Sequence, residues 1–184
     1  ALYGAPMAQG PLTRATAAFS IVALGTAAEL AVPQSPALTA ADLAVGAGLG
    51  IGGAYLLGRA PRPAGLALAA AVAWFAGTLE GASSGALSGL GAVLLIAYRG
   101  PLLHLLLGVT SGRLVSRPAR TLASAGWVAS LLPLPLAGPA TSALAAVIAA
   151  HAGVSARNAA ADRRWVLTAT AAAGFVFTGW RAPS

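Results

Sequence analysis

The chain has 184 residues, 58% of them hydrophobic and 8% charged, with a formal net charge of +7 and a mean hydropathy of +0.80. A soluble domain carries roughly 25% charged residues, so this composition leaves too little polar surface to face water and points to a membrane protein. The absence of cysteine excludes disulfides and thiolate chemistry.

Ala1 rather than Met opens the sequence, as expected of a truncated or processed chain. Residues 1–12 lack the basic segment and apolar run of a signal peptide. Seven apolar stretches follow: Ala15–Val32, Ala41–Leu57, Ala64–Leu79, Ala86–Val109, Leu122–Leu136, Ala140–Val154 and Trp165–Trp180. A bilayer core needs about 20 helical residues, within a range of about 17–25. Several stretches sit at or below that minimum, so six to eight spans are compatible with the pattern. The runs are continuous and do not alternate as the strands of an outer-membrane barrel do. The expected fold is therefore all-α: a polytopic transmembrane helix bundle of about seven spans, with residues 1–184 as one membrane-embedded domain.

Turn chemistry separates the stretches, at Pro33 and Pro36, Pro61 and Pro63, Ser83 to Gly85, Pro118, and Pro133 with Pro135. Thr39 with Asp42 fits a capping box opening the second helix. All eleven basic residues are arginines. Arg14 precedes the first helix. Arg59 and Arg62 lie between the second and third. Arg113, Arg117 and Arg120 follow the fourth, and Arg157, Arg163 and Arg164 follow the sixth. Basic loops stay cytoplasmic. The N-terminus is thus expected in the cytoplasm, in a multi-pass protein of the cytoplasmic (inner) membrane. The dispersal of arginines between spans also accounts for the sequence pI of about 11.6 without nucleic acid as a partner. Trp165 and Trp180 bracket the last stretch as interfacial anchors would.

Gly46, Gly48, Gly50, Gly52 and Gly53 fall in the second stretch. Gly48, Gly50 and Gly53 match G-x-G-x-x-G, but a dinucleotide fingerprint must follow a strand and open a helix. Close helix packing through small-xxx-small pairs explains them better. Whether those faces meet within one chain or between chains stays open at this stage.

Arg99 is the most informative charge. It precedes Gly100 and Pro101 inside the long fourth stretch, near mid-depth. A charge there costs at least about 2.5–3.5 kcal/mol on insertion scales. Pro101 removes a backbone donor and sets the carbonyl of Ala97 without its usual partner. His104 follows one turn after Gly100. Arg99, Gly100, Pro101 and His104 are accordingly candidates for a polar hinge or ligand-sensing element. The plainer alternative, an arginine satisfied by carbonyls at a kink, is slightly favoured. Glu29, Asp42 and Glu80 fall toward the expected outer side. Each has an ordinary explanation, as a cap, a helix end or an interfacial residue, but Glu29 still lies within an apolar run and is a candidate site residue. His104 and His151 are the only histidines. Metal sites need three or four protein ligands, so no metal, no cofactor and no catalytic site are expected.

One segment carries a family resemblance. It comprises Ala73-Trp74-Phe75-Ala76-Gly77, a short glycine-rich loop, Tyr98-Arg99-Gly100-Pro101-Leu102-Leu103-His104-Leu105-Leu106-Leu107, and Ser111-Gly112-Arg113-Leu114. It resembles the N-terminal membrane region of actinobacterial sensor histidine kinases, with the clearest likeness over residues 74–114. The resemblance implies a signal-input module of a two-component system, with Trp74, Arg99, Pro101, His104 and Arg113 as motif positions. It implies a cytoplasmic kinase domain as partner if the chain is a fragment, and a homodimer, in addition to the surrounding lipid bilayer. The chain departs from that family in carrying no phospho-accepting histidine helix and no ATP-binding glycine boxes. An eighth span would be needed to return the chain to the cytoplasm. The alternative is a small multi-helix transporter or channel, since interrupted helices near mid-membrane are typical of transport sites.

Overall fold

Prolines open most of the helices. The computed structural model describes residues 10–32, 34–108, 114 and 116–132, with 143 and 147 as isolated positions. The elements are α1 (Pro11–Leu30), α2 (Pro36–Leu56), α3 (Pro61–Thr78), a 3-10 turn (Leu79–Gly81), α4 (Gly85–Leu94), α5 (Arg99–Leu107) and α6 (Arg117–Ala129). Pro11, Pro36 and Pro61 each stand at the first helical position, where the missing N–H would bond nothing and the fixed φ already suits a helix. Among the described residues there is no strand.

Among the described residues three units are long and apolar enough to cross a membrane: Pro36–Leu56, Pro61–Gly81 and Gly85–Leu107. The all-helical, membrane-length character read from the sequence is thus present. Apart from Ala143 and Val147, the expected spans Ala140–Val154 and Trp165–Trp180, with His151 and their arginines, lie outside the described residues, as do Arg113 and the expected fifth span from residue 133 onward.

The helices start earlier than the sequence expectation: Arg14, expected before the first helix, lies inside α1, and Arg62, expected between the second and third, lies inside α3. The second helix is not opened by Thr39 and Asp42. Its cap is Ser35, whose hydroxyl accepts from the Leu38 N–H at 3.4 Å. Pro36 takes the first helical position, which pulls the start a turn earlier and leaves Thr39 and Asp42 inside the helix. The fifth expected span also starts early. Ser116 caps α6 by accepting from the Ala119 N–H at 3.2 Å, and Pro118 sits in the first turn. Arg117 and Arg120 are therefore helical and exposed.

The break expected at Arg99-Gly100-Pro101 is real but sits one turn earlier. The α-helix stops at Leu94 and restarts at Arg99. In between, Ala97 N–H bonds Leu94 O at 3.0 Å and Arg99 N–H bonds Ile96 O at 3.1 Å, both three residues back. A proline ring excludes the carbonyl four residues before it, here that of Ala97. The preceding turn yields, and Pro101 falls in the tolerant first turn of a new helix.

Packing within α1 to α3 follows a constant register. Arg14 of α1 lies against Gly58 beyond the end of α2, Ile21 against Gly50, and Gly25 and Gly46 both press on the ring of Phe75. The step from Ile21 to Gly25 along α1 is matched by an equal step from Gly50 back to Gly46 along α2, the pattern of an antiparallel pair. Against α3, Gly46 meets Phe75, Gly50 meets Ala71 and Gly53 meets Leu68. A Cβ on Gly25 or Gly46 would occupy the Phe75 ring, so these glycines let three backbones close around one aromatic side chain. Gly58, at φ 82°, makes the turn into α3.

Candidate functional site

The register carries three polar side chains into one interior layer. One turn beyond Gly25 on α1 is Glu29, and one turn before Gly46 on the antiparallel α2 is Asp42. A helical turn rises about 5.4 Å, so both carboxylates leave the Phe75 layer in the same direction by the same distance. Thr78 stands three residues beyond Phe75 on α3. All three are buried: Glu29 is 1%, Asp42 5% and Thr78 8% exposed. A buried polar side chain is costly unless it is hydrogen-bonded. Thr78 Oγ1 donates to Glu29 Oε1 at 2.7 Å, and Gln34 Nε2 donates to Glu29 Oε2. The carboxyl thereby ties the end of α1, the α1–α2 connection and the end of α3 together. The last turn of α1 presents the negative end of the helix dipole, which makes these donors all the more necessary.

Of the three acids expected toward the outer side, only Glu80 keeps its plain role. It is exposed in the 3-10 turn after α3. Asp42 is not a cap, and its burial was not legible from its position in the sequence. Glu29, singled out from its apolar surroundings, is among the largest fully buried side chains.

One turn inward from Thr78 on the same helix is Trp74, 1% exposed. Its ring meets that of Tyr98 edge-on, with centroids 4.7 Å apart and planes at 66°. Trp74, Phe75 and Tyr98 form the aromatic core, with Ile21, Leu43, Val45, Ala73 and Leu102 around it. Tyr98 is the last residue of the break between α4 and α5, so the break is clamped against α3 by an aromatic contact. Its hydroxyl is buried and has no hydrogen-bond partner among the described residues. The Arg99 guanidinium lies 5.9 Å from the centre of the Tyr98 ring, within cation–π range.

Beyond the break, Gly100 and Pro101 are buried. Gly100 gives room to the Trp127 ring and to Ser130 Oγ of α6, and Gly126 of α6 gives room to Leu103. His104 Nδ1 accepts from Trp127 Nε1 at 3.5 Å. The buried face of α6 is made of Ala119, Ala123, Gly126 and Ala129, small residues that let it lie close along α5.

The sequence-derived candidates therefore fall into two groups. Glu29 sits in the buried layer of α1 to α3. Arg99, Gly100, Pro101 and His104 sit at the break and on the α5–α6 contact, and Trp74 with Tyr98 stands between the two groups. Sequence reasoning missed Thr78, Gln34, Tyr98 and Trp127 as partners. The spacing of Gly25 and Glu29 against Asp42 and Gly46 was a usable signal, because a hairpin register pairs them. Among the described residues no group of three metal-ligating side chains occurs. The G-x-G-x-x-G match lies wholly within α2, with Gly50 and Gly53 spent on helix packing. Gly48 and Gly52 would meet nothing within 4 Å if a Cβ were added. Small-residue packing within the chain is thus carried by Gly46, Gly50 and Gly53, and the Gly48–Gly52 side of α2 is open. Comparison of the chain with protein-family models, with curated proteins and with solved structures finds no match.

Proposed function

We propose that the chain is a membrane-embedded signal-input module of a two-component sensor histidine kinase, of the kind its Trp74 to Leu114 segment resembles. It acts as a seven-span protein of the cytoplasmic membrane with its N-terminus inside. The kinase domain belongs to a longer parent chain, and the module performs no catalysis itself.

The observation that carries this reading is a continuous route of contacts. It starts at the buried Glu29–Thr78 bond near one end of the bundle. It passes one turn along α3 to Trp74, across the ring contact to Tyr98 at the helix break, and through Gly100 to Trp127 of α6. An interrupted helix is a two-state element that small changes in packing can bias. Polar side chains inside a membrane bundle are costly to keep and serve as functional positions by default. Alternation of the arginines supports an orientation with the Glu29 layer on the outer side, where a signal would arrive, and the Arg-bearing start of α6 on the inner side.

The test is a deletion strain complemented with wild-type, Glu29→Gln or Arg99→Ala full-length parent, with genome-wide transcripts measured under envelope stress. The expected result is a transcript set lost on deletion, restored by wild type and altered by either variant. Full restoration by both variants would remove these residues from signalling. The interrupted helix also supports transport. Loss of uptake of one solute on deletion, with transcripts unchanged, would put that second reading first.

A further inference from the structure

We propose that His104 and Trp127 form an acid-sensitive latch holding α6 against α5. The inference concerns one helix–helix contact and stands whether or not the chain signals.

The contact has a fixed polarity. Indole Nε1–H is a donor only, and the bond places it on His104 Nδ1 at 3.5 Å. An Nδ1 that accepts belongs to an imidazole that carries its proton on Nε2. Protonation puts a hydrogen on Nδ1 as well, and two donors then face each other. The indole edge, which carries the positive end of the ring quadrupole, also repels a cation there; only the ring face would attract one. The bond is long, so the bound state is weakly held and a proton is enough to displace it.

Among the described residues, the helices packed on α5 carry no acidic side chain to compensate the imidazolium. The helices packed on α5 are α3 and α6. The charged side chains of these three helices are Arg62 on α3, Arg99 on α5, and Arg117 and Arg120 on α6; none is acidic. Trp127 is 41% exposed and His104 is only partly buried, so the pair lies at the edge of the helix contact and is not sealed inside it. The rest of the α5–α6 seam is small residues and Leu103, which do not titrate. Opening the latch frees the Trp127 ring from Gly100 and lets α6 move relative to the helix break.

The test is fluorine NMR on the full chain labelled with 5-fluorotryptophan in lipid nanodiscs, between pH 5 and pH 8. Trp127→Phe identifies the Trp127 resonance, and the Trp74 resonance reports the core. The expected result is a single titration of the Trp127 signal in wild type. In His104→Gln, which keeps an acceptor but cannot titrate, that signal stays constant. A Trp127 signal constant with pH in wild type overturns the latch without any variant. The same titration in wild type and His104→Gln overturns it too. Spin labels at Leu106→Cys and Ser124→Cys, unambiguous because the chain has no other cysteine, read the opening directly. The distance between them should broaden or lengthen at acid pH, and a pH-independent distance overturns the movement.

Discussion

Thr78 at the end of α3 donates a 2.7 Å hydrogen bond to the carboxyl of Glu29 at the end of α1, across a sequence separation of 49 residues. Glu29 is 1% exposed, so this bond lies inside the bundle. It joins the ends of two parallel helices that also meet at Gly25 and Phe75.

Replacing Thr78 by valine keeps the shape and removes the donor. Leaving one oxygen of a buried carboxyl short of a donor costs about 1–3 kcal/mol. Thr78→Val should therefore lower unfolding stability in mixed micelles by that order. Glu29→Leu combined with Thr78→Val should cost less than the two single changes added together. Strict additivity would show that the bond contributes nothing.

The glycines of α2 should divide by face. Gly46→Ala forces a methyl into the Phe75 ring, and overpacking costs about 1–3 kcal/mol. Gly52→Ala meets open space and should leave stability unchanged or raise it slightly, because alanine is the better helix former. Equal effects of the two substitutions would contradict the register of α2 against α1 and α3.

Tyr98→Phe removes a buried hydroxyl that has no partner among the described residues and keeps the edge-on contact with Trp74. Stability should be unchanged or improved. Trp74→Leu removes the aromatic contact, which adds about 0.5–1.5 kcal/mol beyond burial, and should loosen the break; hydrogen exchange at Ala97 and Arg99 should quicken. Marked destabilisation by Tyr98→Phe would mean that the hydroxyl is satisfied.

The proposed orientation is open to cysteine labelling on a chain that has no native cysteine. Ala60→Cys, at the α2–α3 turn, should react with an impermeant maleimide only after the cells are opened. Ser83→Cys, after the 3-10 turn, should react in intact cells. The reverse pattern would place the Glu29 layer on the cytoplasmic side and remove the outward signal route.

Helix placement was largely legible because it depends on local quantities. Apolar runs mark the buried length, and prolines and serines mark the starts. The errors at Asp42 and Arg117 share one cause. A proline in the first turn, preceded by a serine cap, outweighs polarity, so helices reach further toward their N-terminal ends than the apolar runs suggest. Pro101 was likewise legible as a breaker, but not the turn that would give way, because the ring displaces a carbonyl that precedes it.

By itself the sequence determined an all-helical, membrane-length architecture, the breaker at Pro101 and the anomaly of Glu29 in an apolar run. These follow from composition, backbone stereochemistry and the cost of a carboxyl away from water. Only the tertiary structure decided that Asp42 is buried level with Glu29, that Thr78 and Gln34 supply donors to Glu29, and that Trp127 reaches His104. Each of those facts depends on which faces of distant helices meet. That choice is made by the glycines that allow close approach and by the aromatic rings that fill the space, and no local stretch of residues contains both partners.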